Sequence, residues 1–158
     1  MALYGLVDCA ADPGLYPMVC RAPARQSLFA GVIDPDLVGA TPHIVRLDDG
    51  EEITRLLQGP DWARNLGIVC ASDAPLGAVR RQLRYNLQAR LPNAQVVLFR
   101  FYDPRVWVPY IENCDPGALP GWFGQITDYW APHQGRTLRY RLHEGALMRQ
   151  ALQPARAG

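Results

Sequence analysis

At 158 residues the chain is long enough to bury roughly two thirds of its unfolded surface as one domain, without disulfides or a metal. Its hydrophobic fraction of 49% and charged fraction of 20% suit a globule, and a net charge of +1 removes any general case for nucleic-acid binding. No apolar run approaches the ~20 residues of a membrane span, and the N-terminus lacks the basic region of a secretory leader, so a cytoplasmic protein is expected.

The charge is unevenly spread. Residues 1–60 hold four Arg against eight Asp and Glu, whereas 61–112 hold seven against four. Every basic side chain is arginine, whose planar fork suits carboxylates and interfaces.

In chain order, Ala2–Cys9 reads as a strand apolar on both faces and therefore central. Asp12-Pro13 opens a short helix through Val19. Ser27–Gly31 is a short strand, Asp34–Leu37 a helical turn and Pro42–Leu47 an extended segment. Glu51–Gln58 is a helix, stopped by Gly59-Pro60, and Leu66–Cys70 is a buried strand. Pro75–Leu91 carries an apolar stripe at Leu76, Val79, Leu83, Leu87 and Leu91, which predicts one long helix with Arg80, Arg81 and Arg84 off the stripe. Val96–Tyr102 reads as a central buried strand, followed by a helix over 104–112. The spacing of Trp122, Phe123, Ile126, Tyr129 and Trp130 predicts an aromatic helix. Thr137–Leu142 alternates Leu138, Tyr140 and Leu142 against Thr137, Arg139 and Arg141, a strand with arginines outward. Residues 144–152 read as a weak helix.

Asp-Pro occurs at 12–13, 34–35, 103–104 and 115–116, each time ahead of a helix-like segment. Aspartate accepts from orphan first-turn amides, and proline at the first helical position loses no hydrogen bond. This strand–helix rhythm predicts a mixed α/β (α+β) fold. It is a single compact domain over 1–145, with a mostly buried central sheet flanked by helices. A short helix and flexible tail follow over 146–158.

The chemistry-bearing residues do not converge. Cys9, Cys20, Cys70 and Cys114 have no close ligand spacing, and His43, His133 and His143 stand alone, so no metal or cofactor is expected. Cys114 with His43 or His133 gives the alternative of a small cysteine-dependent hydrolase or transferase, although nothing local activates that thiol. Binding is better represented. Arg80, Arg81, Arg84, Arg139 and Arg141 are candidate contacts for an acidic protein surface. Trp107 and Tyr110, three apart on a helix, are candidate interface anchors. Arg100 sits mid-strand among apolar residues and should either face solvent or meet a carboxylate, which Asp103 or Asp8 could supply.

Leu98-Phe99-Arg100-Phe101-Tyr102-Asp103-Pro104-Arg105-Val106 resembles the hallmark of a bacterial domain family, originally of unknown function, whose members are adaptor chaperones for type VI secretion effectors. Tyr4–Ala10 with Asp12-Pro13, Leu28–Gly31 with Asp34–Leu37, Pro42–Leu47, Trp62–Ser72, Cys114–Pro116 and Trp122–Gly124 resemble its other blocks in the same order, across about 2–142. The resemblance implies a non-enzymatic protein that binds a cognate secreted effector and helps load it onto the spike-tip trimer. Nucleic acid and membrane are not among the implied partners. It makes Arg100, Phe101, Tyr102, Asp103, Pro104 and Arg105 a structural signature.

Overall fold

The structure, a computed structural model, describes residues 1–152. Its centre is a seven-stranded antiparallel sheet ordered β2-β3-β1-β4-β7-β8-β9. The strands are β1 (Ala2–Asp8), β2 (Arg25–Ser27), β3 (Pro42–Arg46), β4 (Gly67–Ser72), β7 (Ile126–His133), β8 (Arg136–His143) and β9 (Ala146–Leu152). A separate hairpin pairs β5 (Gln88–Arg90) with β6 (Val96–Leu98). The helices are α1 (Leu15–Arg21), α2 (Glu52–Gln58), α3 (Leu76–Arg84), α4 (Pro104–Asn113) and α5 (Leu119–Phe123). The chain is thus a mixed α+β single domain.

β1 is central, as its two apolar faces require, with β3 and β4 on either side. One face of the sheet packs Tyr4, Leu6, Ile68, Tyr129, Leu138 and Tyr140 against Val79, Leu83, Trp107, Ile111 and Trp122 of α3, α4 and α5. The other packs Val7, Val45 and Val69 against Leu15, Val19, Ile53 and Leu57 of α1 and α2. Gly5 allows the second layer its close approach: a Cβ there would lie 2.6 Å from Leu57 Cδ1.

All four Asp-Pro pairs build the same turn. An Oδ1 of Asp12, Asp34, Asp103 and Asp115 accepts the N–H two residues on, from Gly14, Asp36, Arg105 and Gly117, at 2.7, 2.9, 2.9 and 2.8 Å. Directly after it, Asp103 starts α4 and Asp115 a 3-10 turn. Asp12 and Asp34 reach α1 and a 3-10 turn at Val38–Ala40 a few residues later.

Five expected elements differ. The short strand read over 27–31 is displaced toward the N-terminus, because β2 is Arg25–Ser27. The helix read over 75–91 ends at Arg84, and Gln88–Arg90 becomes β5. The central buried strand read over 96–102 is the short, half-exposed β6, outside the main sheet. The aromatic helix over 122–130 stops at Phe123, and β7 begins at Ile126. The helix expected from 146 is β9, and the tail expected over 153–158 lies outside the described residues.

Candidate protein-interaction site

Of the signature residues, Phe101, Tyr102, Asp103 and Pro104 are buried, while Arg100 and Arg105 are exposed and each is paired with a buried carboxylate. Of the two carboxylates open to Arg100, Asp8 takes it: Arg100 Nη2 donates to Asp8 Oδ2 at 2.7 Å. The Asp8 side chain is only 2% exposed, while the Arg100 side chain keeps 46% of its surface. Asp103 instead caps α4 and receives Arg105, whose Nε and Nη2 lie 3.1 and 2.9 Å from its two oxygens. Phe101, Tyr102 and Pro104 are buried. Burial, ahead of the Asp8 charge, raises the Tyr102 phenol above its ordinary pKa.

Trp107 is withdrawn from the surface. It is fully buried, with Trp122 and Tyr129 at ring-centroid distances of 5.1 and 4.6 Å, so it is a core residue and not an interface anchor. Tyr110 lines the same helix face but stays half-buried, and its hydroxyl accepts from Trp122 Nε1 at 3.0 Å. The shared face inferred from the spacing exists; it points into the aromatic cluster.

The arginines separate into two surfaces. Arg139 and Arg141 stand on the β8 face opposite Tyr140, and both reach the buried Asp128 carboxylate, at 2.7 and 3.0 Å. Arg139 also lies 5.5 Å from the Trp130 ring. They line an open groove of about 940 Å³ with Met148, Gln150 and Thr127. The second surface is α3. Arg80 is spent there: its Nε and Nη2 donate to the carbonyls of Ser27 and Phe29 at 2.5 and 2.9 Å, tying α3 to the end of β2 and the chain just beyond it. Arg81 is exposed and Arg84 half-exposed.

No catalytic arrangement forms around Cys114. Its thiol is half-buried against the Ile111 carbonyl, and burial raises its pKa, the reverse of what a nucleophile needs. A different thiol–imidazole pair does form, Cys9 Sγ to His43 Nδ1 at 3.6 Å. That nitrogen is also 2.9 Å from the Thr41 carbonyl, which can only accept, so Nδ1 carries the proton and cannot act as base toward the thiol. Burial pushes Cys9 up to about 12 and His43 below its ordinary value, favouring two neutral groups. Among the described residues no cluster of three His, Cys, Asp or Glu could hold a metal.

His43 makes stability depend on pH. Its unfolded imidazole titrates at about 6.5 and its folded one lower, so below that pH the unfolded chain binds more protons and the fold loses stability as pH falls. Above it His43 contributes no slope. Urea unfolding between about pH 7.5 and pH 5.5 is expected to show this fall, and His43→Gln to flatten it. An unchanged slope in the variant places the titration elsewhere.

A family model described as Domain of unknown function (DUF4123) matches residues 3–120. The chain belongs to the DUF4123 family. It matches no curated protein and no solved structure. The DUF4123 match runs from β1 into α5, short of the 2–142 over which the motifs resemble the family, and the β7–β8–β9 meander lies beyond it. The α3 surface and the signature residues lie within the DUF4123 match; Arg139 and Arg141 do not.

One surface was missed from the sequence. Next to α3, the β5–β6 hairpin exposes Leu91, Val96 and Leu98, and Tyr85 stands open at the helix end. The signal was present in the alternation of Val96 and Leu98, which assignment of 96–102 to a buried strand concealed.

Proposed function

We propose that this protein is an adaptor chaperone. It binds a cognate type VI secretion effector in the cytoplasm and helps load it onto the spike-tip protein. The observation that carries this reading is membership of the DUF4123 family together with the hallmark at Leu98–Val106. The geometry agrees with a holding role. The hallmark's polar groups are used on Asp8 and Asp103, and what the domain offers a partner is surface: arginines and apolar side chains on α3, the hairpin and the β8–β9 face. Binding a segment that is otherwise exposed stabilises it by mass action without turnover.

The test pairs this protein with the purified product of the effector gene beside it. The two are expected to co-purify, and deletion of this chain is expected to abolish secretion of that effector. Cys114→Ser is expected to leave both intact, since the thiol has no role in holding. Secretion that survives the deletion, with no complex in vitro, defeats the adaptor reading. Loss of function in Cys114→Ser alone would return the cysteine chemistry.

A further inference from the structure

Between Asp73 and Asp103 the chain has no carboxylate and five arginines, at 80, 81, 84, 90 and 100. Two of the five are used internally, Arg80 on backbone carbonyls and Arg100 on Asp8. Arg81, Arg84 and Arg90 have no carboxylate within ion-pair distance among the described residues.

The same stretch holds four of the eight large hydrophobic side chains exposed among the described residues: Tyr85 at 82%, Leu91 at 39%, Val96 at 49% and Leu98 at 50%. Single exposed apolar residues need no explanation, but a cluster within one hairpin and its leading helix end does. The hairpin register shows how it is built. Leu98 pairs with Gln88 and Val96 with Arg90. One step along, the Phe99 amide donates to the Leu87 carbonyl, and both of those side chains turn to the core. The opposite face therefore carries Val96 and Leu98 outward, with Arg90 across from one and Arg100 two residues beyond the other. On α3, Arg81 and Tyr85 are four apart and share an outward strip with Arg84.

The β8–β9 face lacks this combination. Arg139 and Arg141 are held by Asp128 on one face and Arg149 by Glu112 on the other. Arg136 has no carboxylate within ion-pair distance among the described residues, but it stands at the far end of β8 from Arg141, the residue opposite the exposed Met148.

We infer that the outer face of α3 and the β5–β6 hairpin is the docking surface for an acidic segment of the effector, with its apolar residues seated on Val96, Leu98 and Tyr85. This rests on the adaptor reading. Charge complementarity selects the occupant. Arginines without internal carboxylates attract Asp and Glu and speed encounter, while the apolar side chains supply the contact that holds. A second copy joined through the same patch would bring these arginines against one another, which works against that pairing.

The test uses the full chain and the purified product of the neighbouring effector gene, titrated by calorimetry. Val96→Asp with Leu98→Asp is expected to weaken binding about tenfold or more. Arg81→Glu with Arg84→Glu is expected to weaken it most at low salt and less as salt rises. All four positions are exposed or half-exposed, so thermal melts matching the parent show that the variants fold. Met148→Asp, on the exposed edge strand, is expected to bind normally. Wild-type binding that survives both double variants overturns the surface assignment and leaves the adaptor reading standing; no wild-type binding overturns the adaptor reading itself. Binding broken only by Met148→Asp moves the site to β9. Two controls also count against the inference if the double variants abolish what they show: wild-type binding to phosphatidylglycerol vesicles, which makes the patch a membrane contact, or wild-type dimerisation by light scattering, which makes it a self-contact.

Discussion

Replacing Trp107 by alanine is expected to remove about 3–5 kcal/mol of unfolding free energy, measured by urea titration. The indole is fully buried where α4 meets the sheet, against Trp122, Tyr129 and Tyr140. Its removal would leave a cavity that three rigid rings cannot collapse to fill. Domains of this size are stable by only about 5–15 kcal/mol, so the variant should stand near its folding limit. Trp107→Phe should be far milder. Nε1 of Trp107 is buried without a hydrogen-bond partner, and a phenyl ring keeps much of the packing while removing that stranded donor. If alanine costs less than about 1 kcal/mol, the aromatic cluster is not what fastens α4 to the sheet.

The second large effect concerns Arg100. Arg100→Met strands the Asp8 carboxylate, which is 2% exposed and keeps one further hydrogen bond, from the Ala10 amide at 3.2 Å. Breaking a fully buried pair costs about 3–5 kcal/mol; with Arg100 itself 46% exposed, about 2 kcal/mol is expected. Adding Asp8→Asn removes the uncompensated charge, so the double variant should be more stable than Arg100→Met alone. Thermal and urea denaturation of the four-member cycle reads this coupling directly. Unchanged stability in Arg100→Met, combined with lost effector binding, would instead make the signature stretch part of the binding site.

The elements legible in the sequence are those in which one local signal had no competitor. β1 showed through its uninterrupted apolar run, α4 through the Asp103-Pro104 cap, and β8 through strict alternation. The misread elements each had a physical imitator. In β7 a bulge at Thr127 sets Ser72 opposite Ile126 and Ala71 opposite Asp128. The extra residue puts Ile126 and Tyr129, three apart, on one face, which is the spacing of a helix. β9 is Ala-Leu-Met-Arg-Gln-Ala-Leu, almost wholly residues with high helix propensity, and it is a strand because Glu144 and Gly145, at φ of 49° and 77°, turn it back onto β8. In the 75–91 stretch Leu87 is buried whether the helix continues or not, so the stripe concealed the break after Arg84. Of the arginine candidates on α3, Arg81 is exposed and Arg84 half-exposed, as their places off the apolar stripe require. Periodicity could not tell Trp107 in the core from Trp107 on a surface, since both place it on one helix face.

The composition of β9 also bears on how the chain folds and keeps to itself. β7, β8 and β9 are joined by two tight hairpins, whereas β1 reaches β4 only after some sixty intervening residues, so the meander closes its loops at far smaller entropic cost. At the outer end of that early-forming unit lies a strand whose residues gain little from being extended. At the other end of the sheet, β2 is only three residues long. A seven-stranded sheet presents two open rows of amides and carbonyls to passing chains, and here one row is brief and the other is written in residues that template a neighbour poorly. The same choice of side chains that disguised β9 as a helix leaves the sheet ill-suited to growing into an aggregate.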